Sequence, residues 1–461
     1  MINLYPDQID LFNDTRSAMR RYKSVLVRAE TGSGKTLLSA YMIGKSVAKG
    51  SRCGFVVPRK QLLEQTATTF RNEGFSFGYI ASGNKPNPFA LVQLCSAPTL
   101  SNRLERTEPF DILFIDECEF GGASMDKIIQ WAKSHGTWII GLTATPWRGD
   151  GKGLGCWFDT MVSGLDLAEL IKIKRLSEYR LFAPQKPDMD GVKTGANGDW
   201  NIAQTEERID RKLVGNAIEH YKKHAMGKLA LGFSISVKKA VEMSDMFNDC
   251  GIPAGCVHGG MSAPEINDKI MSFARRELLI LSSCELLSFG FDLSQRANMD
   301  VTAEAMIDTQ PTKSLRKQRQ KNGRVLRKKD FPALIFDHAG NWHDHGLPDD
   351  AQEWTLDDRE KKKRGETETR LPQRQCLQCA YCERPKPVCS NCGHVFHVMS
   401  REIEEVDGDL EEIEVAAKKK QARMDQGKAR TMGDLIQVGK DRGYSNPAAW
   451  ARNVMEGRKR G

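Results

Sequence analysis

The 461-residue sequence contains no stretch that approaches the about 20 consecutive apolar residues needed to cross a membrane. Its opening segment, MINLYPDQID, contains no basic stretch followed by an apolar one, so it does not resemble a secretory signal. These two absences predict a protein that is neither embedded in a membrane nor secreted. We expect it in the cytoplasm.

The sequence also lacks the cysteine pattern of a disulfide framework. Of its 12 cysteines, seven are scattered through the first 284 residues and five lie between Cys376 and Cys392. Such clustering without a secretory signal favours reduced thiols and a bound metal. The charge is only weakly one-sided, at +8 from 68 Lys and Arg against 60 Asp and Glu. This excess permits a polyanionic partner but does not identify one.

The length predicts about three domains. Short β-rich runs such as VLVRA, CGFVVP and DILFID alternate with helical segments, first up to residue 173 and again from residue 213. Near-continuous apolar strands divided by helices predict parallel sheets that are covered on both faces. We therefore expect an α/β fold with two similar lobes. The expected segments are a first lobe at 1–170, a connector at 171–212, a second lobe at 213–350, a charged linker at 351–375, a zinc module at 376–397, and a charged linker with a helical basic tail at 398–461.

A phosphate-binding loop is predicted where the strand VLVRA runs into AETGSGKT, residues 29–36. Gly32 and Gly34, with Ser33 between them, allow backbone N–H groups to converge on phosphates at the start of a helix. Lys35 would reach the β- and γ-phosphates of ATP, and the Thr36 hydroxyl would ligate Mg²⁺.

A second acidic motif, DECE, follows the apolar run FDILFI. Asp116 ends this strand beside the predicted phosphate loop, where open α/β sheets bind ligands. Asp116 is a candidate Mg²⁺ ligand, and Glu117 is a candidate to orient and deprotonate the attacking water. A divalent cation would explain why neighbouring carboxylates are tolerated there.

The motifs resemble those of superfamily 2 helicases, most closely the phage and bacterial type III restriction and DNA-repair kind. The resemblance spans roughly residues 1–350 and includes LYPDQ, VVPRKQLLEQ, GLTATPWR, VHGGMS, SSCELLSFGFDLS and QKNGRVLRK. It implies two RecA-like domains with an ATP cleft between them. Where the family usually has His or Asp as the fourth residue of its second motif, this chain has Glu119.

The resemblance assigns further roles in nucleotide and nucleic-acid contact. It implies an adenine contact at Gln8, a nucleotide contact at Asp292, and nucleic-acid contacts at Arg59, Thr143, Thr145, His258 and Gly259. Arg324 and Arg327, three residues apart on one helix face, could point two guanidiniums at a γ-phosphate. In the family these are arginine fingers.

The cysteine cluster predicts a structural Zn²⁺ site, because paired C-x-x-C knuckles supply four thiolates. Five cysteines leave one spare. Pairing Cys376 and Cys379 with Cys389 and Cys392 resembles the zinc ribbons that trail related helicases. Pairing through Cys382 in place of Cys376 is the alternative, and His394 and His397 are outside candidates.

Together these features predict an ATP-dependent DNA helicase or translocase acting on single-stranded, forked or branched DNA. We expect ATP, Mg²⁺ and Zn²⁺ as cofactors and no membrane partner. The tail has an aromatic pair at Tyr444 and Trp450 and a basic end, and it could clamp nucleic acid or bind replication or recombination proteins. The alternative is that Trp450 packs a small helical hairpin. The resemblances suggest a bacteriophage protein of a bacterial cytoplasm. An RNA helicase and a non-catalytic, ATP-switched nucleic-acid-binding adaptor are the alternatives.

Overall fold

The structure, a computed structural model, describes most of the chain as two compact units, Met1–Val395 and Phe396–Gly461. The described residues are 2–149, 151–184, 187–195, 198–209, 211–287, 293–297, 299, 301–358, 372–396, 429, 431–441 and 447–459. The predictions for Asp292, His397 and Tyr444 lie outside these residues. Within the described ranges, no helix is both long and apolar enough to cross a bilayer.

The first lobe is built on a seven-stranded sheet in which all paired strands run parallel. Its strands are β1 (Ser24–Arg28), β2 (Cys53–Val57), β3 (Phe77–Ile80), β4 (Val92–Ser96), β5 (Ile112–Ile115), β6 (Trp138–Thr143) and β7 (Thr160–Ser163). Their order across the sheet is β3-β4-β2-β5-β6-β1-β7. The accompanying helices are α1 (Pro6–Ala18), α2 (Lys35–Val47), α3 (Lys60–Asn72), α4 (Ala97–Ser101), α5 (Ala123–Ser134) and α6 (Leu167–Lys172), with 3₁₀ turns at Leu104–Arg106 and Cys118–Phe120.

The second lobe is built on an eight-stranded sheet. Its strands are β8 (Tyr179–Phe182), β9 (Ala230–Phe233), β10 (Ala254–Cys256), β11 (Ile280–Ser283), β12 (Ala305–Asp308), β13 (Ala333–Asp337), β14 (Arg374–Gln375) and β15 (Tyr381–Glu383). The order is β10-β11-β9-β12-β13-β8-β15-β14, parallel except for the β8-β15 and β15-β14 pairs. The helices are α7 (Ile202–Arg208), α8 (Arg211–His224), α9 (Val237–Asp249), α10 (Ala263–Ala274), α11 (Leu293–Ala297), α12 (Leu315–Val325) and α13 (Asn341–His345).

The apolar strands bury side chains on both faces of each sheet, as the sequence predicts. In β1, Val27 packs into the core on one face and Leu26 into the core on the other. In β13, Ile335 and Phe336 divide between two cores in the same way. Successive side chains of a strand point to opposite faces, so a continuous apolar run fits a sheet covered by helices on both sides. The predicted α/β fold with two parallel-sheet lobes is confirmed.

Two segments that the sequence places outside the lobes contribute strands to the second sheet. The expected connector, 171–212, contains β8, which pairs with β13. β15, which belongs to the cysteine-rich module, pairs antiparallel with β8 and extends the sheet beyond it. The module is thus continuous with the second lobe, and the six-part division of the chain otherwise stays a prediction.

The second unit contains a helical hairpin, α14 (Met432–Asp441) and α15 (Pro447–Lys459). Leu435 and Ala451 are buried in its small core, and Trp450 packs against them. Gly439 allows the close approach, because a β-carbon there would lie 3.2 Å from Trp450 Cε3. Trp450 therefore contributes to the packing of the hairpin.

Candidate ATP and nucleic-acid site

The predicted phosphate loop lies between the carboxyl end of β1 and the start of α2. Gly32 and Gly34 have φ angles of +86° and +91°, a left-handed conformation that favours glycine. At Gly34 a β-carbon would also lie 2.6 Å from Gln8 Nε2. The backbone conformation therefore favours glycine at both positions, and at Gly34 a side chain would also clash with Gln8. The loop leads directly into a helix amino terminus, which favours the binding of an anion.

Lys35 is half-buried at the first position of α2. Its Nζ donates hydrogen bonds to the carbonyls of Ala29 (3.1 Å) and Glu30 (3.2 Å). Burial lowers the pKa of Lys35, while the charges of Asp116, Glu117 and other nearby carboxylates raise it. The lysine of the first motif and the carboxylates of the second therefore lie in one electrostatic site.

Gln8 lies against the same loop. Its Nε2 donates to the Ser33 carbonyl (2.8 Å), and its Oε1 accepts from the Tyr5 backbone N–H (3.0 Å). A cavity beside them is lined by residues that include Gln8, Gly34, Lys35 and Leu170. The structure thus brings the predicted adenine contact to the edge of the phosphate loop.

Arg175, which the sequence did not single out, also closes this region. Its guanidinium lies 3.5 Å from the Tyr5 ring centroid and donates to Asp7 Oδ1 and the Ser33 carbonyl, each at 3.0 Å. Arg175 follows α6 at the junction of the two lobes, where no recognised motif marks it. The loop carbonyl of Ser33 is therefore held by Gln8 on one side and Arg175 on the other.

The second motif places three carboxylates in a confined space. Asp116 follows β5 and accepts a hydrogen bond from the Glu117 N–H (3.0 Å). Burial and the charge of Glu117 raise the pKa of Asp116 to about 7, against the opposing charge of Lys35. Burial and the charge of Glu117 likewise raise the pKa of Glu119 to about 7, opposed by Arg316 and by a hydrogen bond with Thr143.

Glu117 has two features that set it apart from an ordinary surface carboxylate. Its φ angle is +45°, a left-handed conformation that costs energy for a residue with a side chain. Its Oε2 is buried and has no hydrogen-bond partner among the residues that the structure describes. An unsatisfied buried acceptor and a strained backbone together are typical of a functional position.

Thr143 and Thr145 lie at the carboxyl end of β6, beside Glu119. Both are buried, and the Thr143 hydroxyl donates to the Thr145 carbonyl and accepts from its N–H, each at 2.9 Å. The Thr143 side chain also contacts Glu119, so this tight turn connects the GLTATPWR motif to the DECE motif. Glu119, which lies where the family usually has His or Asp, thus makes a hydrogen bond with Thr143.

In the second lobe, helix α12 reaches the phosphate loop with its last turn. A β-carbon on Gly323 would lie 2.4 Å from Thr31 Cγ2, so this glycine permits direct contact with the loop. Arg324 follows it immediately, and Arg327 lies just beyond the helix in an isolated bridge with Leu176. Both arginines are half-buried near the phosphate loop.

The remaining predicted nucleic-acid contacts are Arg59 and Gly259, which are exposed, and His258, which is half-buried. Arg59 is exposed at the amino end of α3, with its guanidinium 5.1 Å from the Phe120 ring centroid. Gly259 is exposed before α10, and His258 Nδ1 accepts from the Gly260 N–H (3.2 Å). Residues of this kind can present N–H groups to a backbone phosphate.

Two family models match the chain. "Type III restriction enzyme, res subunit" matches residues 1–148, and "Helicase conserved C-terminal domain" matches residues 211–329, together more than half of the sequence. The chain belongs to the superfamily 2 helicases. It is therefore an ATP-hydrolysing nucleic-acid helicase of the type III restriction-like kind, and the adaptor alternative is not supported.

Two relatives are similar to this chain. A 51.5 kDa protein of Lactococcus phage (isolate 7-9) is 29% identical over 396 residues, covering 84% of this helicase and 82% of the phage protein. The putative mitochondrial ATP-dependent helicase irc3 of Schizosaccharomyces pombe is 26% identical over 298 residues, covering 59% of this chain and 47% of irc3.

Solved structures show the same fold. The ATP-dependent Type ISP restriction-modification enzyme LlaBIII bound to DNA superposes with a TM-score of 0.53 at 14% identity, covering 72% of this helicase. The match spans only 27% of the LlaBIII chain. A variant of S. cerevisiae Dbp5 bound to RNA and ADP BeF3 gives a TM-score of 0.50 at 14% identity, covering 75% of this chain and 92% of that one.

The cysteine-rich module of the helicase gathers four thiols. The sulfurs of Cys376, Cys379, Cys389 and Cys392 lie within 4.8 Å of one another, with the 376–392 and 379–389 pairs 3.7 Å apart. A tetrahedron of sulfurs at the usual Zn–S distance has edges of about 3.8 Å. These four residues therefore fit Zn²⁺, in agreement with the preferred pairing.

Cys382 is the spare cysteine. It lies on β15, is 2% exposed, and packs into a core of the second lobe. Burial raises the pKa of its thiol, which disfavours the thiolate that a metal would need. Among the described residues the cluster includes no histidine, so His394 is not a member.

Proposed function

We propose that this helicase uses ATP hydrolysis to move on or unwind DNA, including single-stranded, forked or branched DNA. The carrying observation is that Lys35, Asp116 and Glu117 share one electrostatic site against which the last turn of α12 packs. The match of residues 1–148 to the res subunit of type III restriction enzymes favours DNA over RNA. The DNA-bound LlaBIII, at 14% identity, supports only the shared fold. The RNA-bound Dbp5 supports only the shared fold, since the identity is 14%.

The first-lobe residues take the following proposed roles. Lys35 exchanges the carbonyls of Ala29 and Glu30 for the β- and γ-phosphates when ATP binds. Thr36 and Asp116 would hold Mg²⁺, which would neutralise negative charge on the phosphates. Because Glu117 has a free buried oxygen, it can accept a proton from the attacking water. Gln8 contacts the adenine.

The second lobe completes the site in this proposal. Arg324 and Arg327 stabilise charge on the γ-phosphate when α12 lies against the phosphate loop, and Asp292 also contacts nucleotide. Arg59, Thr143, Thr145, His258 and Gly259 contact nucleic acid, chiefly through backbone phosphates. Binding should therefore weaken as salt increases and depend little on sequence.

Three further assignments belong to the same proposal. Cys376, Cys379, Cys389 and Cys392 hold a structural Zn²⁺. The described tail hairpin could bind replication or recombination proteins. The phage relative suggests that the chain acts in the cytoplasm of a bacterial host.

The test is steady-state ATPase with Mg²⁺, alone and with single-stranded, forked or duplex DNA or with RNA. Lys35→Ala is the blank, because the phosphates lose their main cation. Glu117→Gln should bind ATP normally but hydrolyse it about 100-fold or more slowly than the wild-type enzyme. Stimulation by DNA but not RNA supports the proposal, whereas stimulation by RNA alone would assign an RNA helicase. Equal loss of ATP binding and turnover in Glu117→Gln would contradict its water-orienting role.

A further inference from the structure

Phe120, the residue after the second motif, is contacted by arginines from both lobes. Arg59 of the first lobe lies 5.1 Å from the Phe120 ring centroid, and Arg316 of the second lobe lies 4.1 Å from it. Both distances are within cation–π range, and the ring is half-buried. One aromatic side chain thus joins an expected nucleic-acid contact to helix α12.

Arg316 also faces the acidic motif directly. Its Nη1 donates to the Glu119 backbone carbonyl at 3.4 Å, a long hydrogen bond. Burial lowers the pKa of Arg316, the charges of Glu119 and Glu117 raise it, and the like charge of Arg59 lowers it. Arg316 therefore interacts electrostatically both with the DECE carboxylates Glu119 and Glu117 and with Arg59.

Helix α12 connects this contact to the phosphate loop. Arg316 is in its first turn and Gly323 in its last, about 10 Å apart along the axis. Gly323 touches Thr31 at one end of the helix while Arg316 touches Phe120 at the other. Since a helix moves as a rigid element, approach of α12 to the ATP site must also bring Arg316 onto Phe120.

We propose that Phe120 and Arg316 form an interlobe stack through which nucleic acid bound at Arg59 stimulates ATP hydrolysis. Arg316 is a positioning residue in this mechanism. A backbone phosphate at Arg59 would neutralise the charge that repels Arg316 across the ring, which favours the closed position of α12. This inference rests on the proposed nucleic-acid contact of Arg59.

The experiment compares ATPase with and without an oligothymidylate in Phe120→Leu, Phe120→Tyr, Arg316→Met and the double variant Phe120→Leu with Arg316→Met. Arg275→Met is the matched control, since Arg275 forms an exposed ion pair with Glu277 on the second lobe. The ratio of stimulated to basal kcat should fall about 5- to 30-fold in Phe120→Leu and Arg316→Met. Phe120→Tyr, which keeps an aromatic face, and Arg275→Met should keep the wild-type ratio.

The double variant decides whether the two side chains act together. If Arg316 acts through Phe120, the ratio of stimulated to basal kcat in the double variant should be no lower than in either single variant. If the losses of this ratio in the two single variants multiply in the double variant, the proposed stack is wrong. Equal falls in basal and stimulated kcat would also contradict it, because they indicate a merely structural role. A wild-type enzyme that no nucleic acid stimulates would instead overturn the proposed function.

Discussion

The sharpest stability prediction concerns a buried charge cluster on the phosphate loop. Glu30, 3% exposed, pairs through Oε1 with Arg28 of β1 and with Arg319 of α12, which lies 2.8 Å away. Burial lowers the pKa of both arginines to about 10, so both remain charged at neutral pH. The ring of Trp354 lies over both guanidiniums, at 5.4 and 5.2 Å. Glu30 therefore pairs with two cations, one from each lobe.

The structure predicts different costs for removing different members. Glu30→Gln leaves two buried guanidiniums without their shared carboxylate, and breaking a buried pair in this way costs about 3–5 kcal/mol. Arg319→Met leaves Glu30 paired with Arg28, so the loss should be about 1.5–3 kcal/mol, the range for a hydrogen bond to a charged group. In Glu30→Gln the two arginines repel each other. Adding Arg319→Met removes that repulsion, so the double variant should be no less stable than Glu30→Gln alone.

The assay is denaturant unfolding of the full chain, with midpoints compared at constant slope. Glu277→Gln is the control, because it breaks an exposed ion pair with Arg275 and should hardly move the midpoint. An unfolding midpoint of Glu30→Gln equal to that of this control would contradict the buried pairing. A double variant that loses the sum of the two single losses would also contradict it, because the charges would then act independently.

Two further predictions concern the cysteine-rich module and Trp354. Cys379→Ser should lower the zinc content of purified protein, whereas Cys382→Ala should keep it, as metal analysis would show; the reverse result would reassign the fourth ligand. Trp354→Ala should destabilise the protein by about 1–3 kcal/mol in denaturant unfolding, because its ring also packs 4.9 Å from Trp147. An unchanged unfolding midpoint would show that this contact contributes no stability.

Much of the site could be predicted because its geometry is local. The spacing in AETGSGKT requires left-handed glycines at Gly32 and Gly34, and the structure has them. The carboxyl ends of parallel strands meet at one edge of a sheet, so Asp116 and Thr143 had to lie near the loop. The positions of these residues are determined by one strand and one turn.

The contacts between lobes could not be predicted in the same way. Glu30 and Arg319 are 289 positions apart, and nothing in either segment specifies the other. The resemblance to zinc ribbons favoured the four cysteines that the structure gathers, but the burial of Cys382 was also non-local. It depends on β15 pairing with β8, which turns Cys382 into the core of the second lobe. The strand β8 was not predicted, because its short sequence, YRLF, mixes polar and apolar residues and lies in polar surroundings.

Helix α12 shows why hydrophobic periodicity was insufficient. Its sequence, LRKQRQKNGRV, is that of a solvated helix, yet most of its residues are buried. The burial is tolerated because charged groups find partners: Lys321 Nζ donates to Asp308 at 2.6 Å, and Arg319 donates to Glu30. One of these partners is in the second lobe and the other in the first. Opening the cleft would therefore separate Arg319 from Glu30, whereas Lys321 would keep its ion pair with Asp308. The energetic preference for the closed cleft thus depends on the half of the helix that faces the phosphate loop.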